Sequence, residues 1–299
     1  MNRTLLQARK RLTRLSLIGL TKVIRLFSLI VPYRFGVWVG GAIGLLFYYV
    51  LRRERGRALE HLGVAYPDQD IAWKRRIARH CFIHLGKSLL ETMLIKPERL
   101  RRIVEVRGEE KLRTAMEQGR GAVFVTGHIG NWEMMGHYVS SLFPLSVVAA
   151  PIEPQQVNDM IVGLRSRMNV RTILRGRPGA SRELIRIFKE NRVLGILIDQ
   201  DTDVESAFVD FMGRPAWTPT GAASMALKFG APVIYGFIHR DRNNHHTVVI
   251  EGPLELVRTG DLERDITLNT AMLTKKIEDS VRSDPEQWVW MHRRWRRQP

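Results

Sequence analysis

His128 and Glu133 stand five positions apart in Gly127-His128-Ile129-Gly130-Asn131-Trp132-Glu133. A carboxylate that holds one imidazole nitrogen fixes the tautomer and raises the basicity of the other nitrogen, which can then take a proton from a hydroxyl. On one ideal helix, side chains five positions apart point roughly 140° away from each other and do not meet. The pairing therefore predicts His128 in a loop before a helix and Glu133 in the first turns of that helix, reaching back. Gly127 and Gly130 supply the backbone freedom for such a loop. The chemistry is that of a base and its orienting acid without a serine nucleophile, and the sequence has no Gly-x-Ser-x-Gly elbow. On spacing alone, a histidine near a glutamate is more often structural, and both readings stay open.

The surrounding pattern puts this segment where a strand gives way to a helix. Residues 122–126 form a short apolar β-type run, and the spacing predicts a helix over 132–142. Further β-type runs fall at 145–149, 193–198, 232–238 and 246–250, with helical stretches at 155–168, 180–190, 219–228 and 264–283 between or after them. Alternating strands and helices predict an α/β fold with a mostly parallel central sheet covered by helices. In such sheets ligands bind at the strand ends. Residues 54–118 read as helices punctuated by Pro67 and Pro97.

The first 53 residues differ from the rest. They contain no acidic residue, and the apolar stretches 15–20, 26–31 and 35–51 alternate with arginines and lysines. The run 35–51 is free of charge and sits at the short edge of bilayer-spanning length. It carries Gly36, Gly40, Gly41 and Gly44, which permit close helix packing. The reading is an N-terminal helical membrane anchor over 1–53, followed by an α/β domain over 54–299. A spanning helix at 35–51 competes with an in-plane amphipathic segment at 12–31 followed by a short inserted helix. Arg52, Arg53, Arg55 and Arg57 favour the cytoplasmic side in either case.

Forty-seven lysines and arginines against 30 acidic residues give a formal net charge of +17. Such a charge attracts phospholipid headgroups, nucleic acid or an acidic protein. The single cysteine, Cys81, excludes a disulfide framework and a cysteine metal cluster, and its helical spacing reads as core.

The His-x4-Glu unit resembles the His-x4-Asp/Glu motif of glycerolipid acyltransferases, and its setting resembles the lipid A secondary acyltransferase branch. The resemblance continues through Ile198-Asp199-Gln200-Asp201, through 208–213 and Thr218-Pro219-Thr220-Gly221, and through Pro285-Glu286-Gln287-Trp288-Val289-Trp290-Met291-His292-Arg293-Arg294. It implies a glycerolipid acyltransferase-like fold. The implied reaction is transfer of a fatty acyl chain from an acyl-carrier-protein or acyl-CoA thioester to a hydroxyl of a membrane lipid. A lipid A precursor at the cytoplasmic face of the inner membrane is the leading acceptor, with another glycolipid or a phospholipid as the alternative. No cofactor and no metal are implied, and His128 and Glu133 carry the catalysis.

Other residues have two readings each. Arg165 and Arg175 stand out in an arginine-rich stretch as phosphate contacts, although such stretches are often only solvated. Asp199 and Asp201 follow a predicted strand and project at the same sheet edge as His128, as substrate contacts or as turn residues. Gly127 and Asn131 line the motif, with Asn131 also a helix cap. Trp288, Trp290 and Trp295, mixed with arginines, read as a membrane-interface cluster. His239, His245 and His246 fall around a polar hairpin tip and do not suggest a metal. The competing class is a non-enzymatic basic protein binding membrane or nucleic acid. The arginines cluster at the two chain ends, beside membrane-type sequence, rather than in one stripe, which disfavours nucleic acid.

Overall fold

The computed structural model describes residues 31–299. Helix α1 (Tyr33–Val50) is followed by α2 (Arg52–Ala65), α3 (Ile71–Leu94) and α4 (Pro97–Ile103). The α/β part then runs β1 (Val104–Arg107), α5 (Glu109–Glu117), β2 (Ala122–Thr126), α6 (Trp132–Leu142), β3 (Leu145–Ala149), α7 (Gln155–Arg167), β4 (Val170–Leu174), α8 (Ala180–Lys189) and β5 (Val193–Leu197). A hairpin of β6 (Ser206–Phe211) and β7 (Arg214–Pro219) leads to α9 (Gly221–Phe229), β8 (Val233–Arg240), β9 (His246–Leu254), α10 (Leu262–Ser283) and a 3₁₀ turn at Pro285–Gln287.

Seven strands form one sheet in the order β1-β9-β8-β2-β5-β3-β4, parallel throughout except for the β8–β9 pair. The expected mostly parallel sheet covered by helices is thus what the chain forms. Successive strand residues face opposite sides of the sheet, and the two cores follow from that alternation. Val123, Val125 and Leu194 pack with Ile187, Ala226 and Ile277 on one face. Phe124, Val193 and Ile234 pack with Leu112, Met134 and Met135 on the other. The stretch 54–118 departs from the expected run of helices in one place, because Val104–Arg107 is an edge strand beside β9.

Helix α1 lies along α3, and its glycines explain the close approach. A Cβ on Gly40 would overlap the carbonyl oxygen of Gly86, and one on Gly86 would overlap that of Gly40. The opposite face of α1 is apolar and open, with Trp38 66%, Leu46 57% and Val50 61% exposed. No single helix among the described residues is long and apolar enough to cross a membrane; α1 and α2 pass that test only as a pair bent by 88°. The run 35–51, where a spanning helix was expected, falls almost wholly in α1, which does not pass that test by itself, and the in-plane segment expected over 12–31 falls outside the described residues apart from Val31.

Candidate active site

The loop between β2 and α6 leaves the carboxyl edge of the sheet. Strand β5 lies parallel to β2 with Thr126 opposite Leu197, so the second residue beyond each strand end falls side by side. These residues are His128 and Asp199. The Asp199 carboxylate accepts hydrogen bonds from His128 Nδ1 at 2.7 Å, from the His128 backbone N–H at 2.6 Å and from Trp288 Nε1 at 2.8 Å. Burial alone would raise the Asp199 pKa, but His128 and the other donors outweigh it and hold the carboxyl well below the usual carboxylate range. Asp199 is held ionised on the Nδ1 side, which leaves the Nε2 lone pair of His128 able to accept a proton.

Several residues hold this loop still. Gly130 has φ +61°, and a Cβ there would overlap the Ile238 carbonyl. Its N–H donates to Gln287 O at 3.0 Å, and Ile129 bridges to Trp288. Asn131 caps α6, accepting the Met134 N–H at 3.2 Å, and is itself held by Glu91, to whose Oε2 its amide donates at 3.0 Å. Glu91 is buried and also accepts from Arg240 at 2.5 and 2.6 Å and from Tyr33 at 2.8 Å, with His246 at 3.1 Å. This buried cluster connects α1, α3, β8 and β9 to the cap of α6.

Glu133 does not orient His128, which corrects the expectation from the motif. It occupies the first turn of α6 as foreseen, but its carboxylate is taken by Arg165 from the last turn of α7, at 2.9 Å to Nε and 2.5 Å to Nη2. Burial opposes ionisation of Glu133, and the fork of Arg165 overcomes it, keeping the pKa low. The physical reason is reach: a neighbouring strand end brings Asp199 directly beneath the ring, whereas Glu133 starts one helical turn away with a guanidinium closer.

The remaining expected residues divide. Arg165, Arg175, His128, Glu133 and Trp132 line one cavity of about 580 Å³. Asp201 does not. It is buried and holds the C-terminal tail, bonded to Arg296 at 3.0 Å and to Arg297 Nη1 at 2.5 Å, so it is a tail clamp where a substrate contact was expected. Gly127 and Asn131 are also absent from the cavity wall. A Cβ on Gly127 would lie 3.0 Å from Asp199 Oδ2, so the glycine makes room for the acid beneath His128. Trp288 and Trp290 are fully buried, which overturns their membrane-interface reading. His246, expected near a hairpin tip, is a buried strand residue on Glu91.

Two residues given no role by the sequence complete the site. The Gln200 amide nitrogen stands 3.0 Å from His128 Nε2 and 2.5 Å from His292 Nδ1, and the two rings meet edge to face at 4.8 Å between centroids. One N–H of the amide thus reaches each imidazole. Burial, with His128 adding to it, pulls the His292 pKa down to about 3, so that ring stays neutral and accepts. Gln200 lay inside the Asp-Gln-Asp segment and His292 inside the C-terminal signature, but only the fold places them together. Among the described residues no group of three histidines, cysteines or carboxylates could hold a metal ion.

Cavity walls beyond this polar mouth are aliphatic, with Val147 and Val148 from β3, Leu194 and Ile196 from β5, Leu184 from α8 and Met225 from α9. A base beside an aliphatic cavity of this size suits a long acyl chain. A family model described as bacterial lipid A biosynthesis acyltransferase matches residues 5–297. The chain is 24% identical over 274 residues to the lipid A biosynthesis palmitoleoyltransferase of Escherichia coli (strain K12), covering 90% of this chain and 87% of that one. It is 25% identical over 277 residues to the lipid A biosynthesis lauroyltransferase of the same organism, with the same coverage of 90% and 87%. It is 26% identical over 184 residues to the phosphatidylinositol mannoside acyltransferase of Mycolicibacterium smegmatis (strain ATCC 700084 / mc(2)155), covering 60% of this chain and 59% of that one. Matched along nearly its whole length, and with a base at an aliphatic cavity, the chain belongs to the bacterial lipid A biosynthesis acyltransferase family and is an acyltransferase.

Proposed function

We propose that the protein transfers a fatty acyl chain from an acyl thioester, carried by acyl carrier protein or coenzyme A, to a hydroxyl of a lipid A precursor at the cytoplasmic face of the inner membrane. The observation that carries this reading is the His128–Asp199 pair at the mouth of the aliphatic cavity. The acceptor hydroxyl displaces the Gln200 amide from His128 Nε2 and gives its proton to that nitrogen as its oxygen bonds to the thioester carbonyl carbon. Asp199 stays ionised and stabilises the imidazolium. As the tetrahedral intermediate collapses, the C–S bond breaks and the departing thiolate takes the proton back from His128. The start of α6 adds a positive field near the developing oxyanion.

Other features agree with this assignment. Arg175 sits on the cavity wall and suits a phosphate of the donor or of the acceptor. The open apolar face of α1, flanked by exposed Arg34, Arg52 and Arg53, suits an anionic membrane surface. A second acceptor, a phosphoinositol-based glycolipid, is favoured by the partial match to the mannoside acyltransferase.

Purified protein incubated with acyl-carrier-protein or acyl-CoA donors and candidate lipids, read by mass spectrometry, tests the assignment. Acylated product is expected from the wild type and none from a folded His128→Ala variant. Full activity in that variant would end the mechanism.

A further inference from the structure

Glycine destabilises a helix interior relative to alanine. Gly56, Gly63 and Gly163 sit in helices with nothing near an added Cβ, while other helix glycines have a visible reason to lack a side chain. For Gly40 and Gly86 the reason is backbone contact between helices. Gly136, in the middle of α6, has no such reason. Its backbone is ordinary helix, and a Cβ there would meet only Leu145 Cδ2 at 3.8 Å, an ordinary contact. What Gly136 does face is the cavity.

Its position within that cavity follows from the topology. Helix α6 begins at the carboxyl edge of the sheet, near His128, and runs back along it. Gly136 lies three residues beyond Glu133, roughly 4.5 Å further along the axis. Leu145 opens β3, Val170 opens β4, and the two are register partners at the amino edge of the sheet. One arm of the cavity therefore runs from the base at the carboxyl edge down one face of the sheet, past Val147, to Gly136 and Val170. Leu145, Val139 and Val170 are buried around that end, so aliphatic side chains pack behind it. An acceptor lipid can leave its own chains in the bilayer, but the chain being transferred has to bring its thioester to His128. An aliphatic arm whose far wall is packed side chains at a fixed distance from His128 measures that chain.

We infer that Gly136 sets the depth of the acyl-chain arm and so determines the length of the acyl group transferred. This rests on the reaction assigned above. The full chain, as wild type, Gly136→Ala, Gly136→Leu and Val147→Ala, is given saturated acyl thioesters from eight to eighteen carbons and one lipid acceptor, with products sized by mass spectrometry. Gly136→Leu shifts the preferred chain roughly two to four carbons shorter, as expected where interiors are close-packed and added atoms displace ligand. Gly136→Ala shifts it little and melts no lower than the wild type, and Val147→Ala shifts it longer. An active Gly136→Leu variant with unchanged preference overturns the inference. So does a Gly136→Leu variant that changes only the choice of acceptor lipid. If Gly136→Leu is folded but inactive with every donor, Val147→Ala decides, and unchanged length there overturns the inference. A wild type that transfers no acyl chain at all would instead sink the reaction assignment itself.

Discussion

At the scale of single residues, the site depends on which acid meets which base. His128 was legible as a candidate base because glycines and a strand end surround it. The wrong acid was nearer in sequence, since a five-residue spacing says nothing about a guanidinium 32 positions downstream. Asp199 was legible only as a residue at the same edge, and the strand register makes it the partner. Glu133 now belongs to an ion pair on the cavity wall, so Glu133→Gln should act chiefly through Arg165. The expected outcome is a weaker effect on kcat than on KM, measured by steady-state kinetics across donor concentrations. A titration supplies a second residue-scale prediction. Burial, reinforced by Glu286 and opposed by a Gln287 hydrogen bond, raises the Asp284 carboxyl to about 6. The folded pKa then exceeds the unfolded value near 3.9, so folding binds a proton between those values and stability falls as pH rises from about 4 to 6. Asp284→Asn should therefore stabilise the protein at pH 7, by up to about 2 kcal/mol after allowing for partial exposure, and be nearly neutral at pH 4. Thermal melts at the two pH values check this.

At the scale of elements, periodicity read the buried interior well and the edges poorly. Strands β2 and β3 fell where the apolar runs put them, because each is five mostly apolar residues with a strand on both sides. Strand β1 was hidden because it is four residues long and alternates Val104 and Val106 with Glu105 and Arg107. Strand β4 sits at the other edge, with Arg171 inside it, and an edge strand needs an apolar residue only on its covered face. The Glu91 cluster could not be read at all, since its members come from four separated elements. It predicts a graded response. Tyr33→Phe removes one bond to a buried carboxylate and should cost about 1.5–3 kcal/mol. Glu91→Ala strands Arg240 as an unpaired buried cation and should cost about 3–5 kcal/mol. Denaturant unfolding measures both, and equal small losses would mean the cluster is solvated in solution.

At the scale of the whole molecule, the site and the apolar face of α1 are joined through α3 and the Glu91 cluster. A formal charge of +17 with exposed apolar side chains on one helix predicts binding to anionic vesicles that weakens with salt. Trp38→Glu, on the open face of α1, should lower that binding about tenfold or more in a sedimentation assay without lowering the melting temperature. Unchanged binding would move the membrane contact elsewhere. The acid that steers His128 remains the point on which the catalytic account turns, and it is tested by one comparison. Acyl transfer is measured for purified, folded Asp199→Asn and Glu133→Gln variants under saturating donor. The account predicts that Asp199→Asn lowers kcat by about two to four orders of magnitude while Glu133→Gln keeps most of it. An Asp199→Asn variant at wild-type rate beside an inactive Glu133→Gln would contradict it.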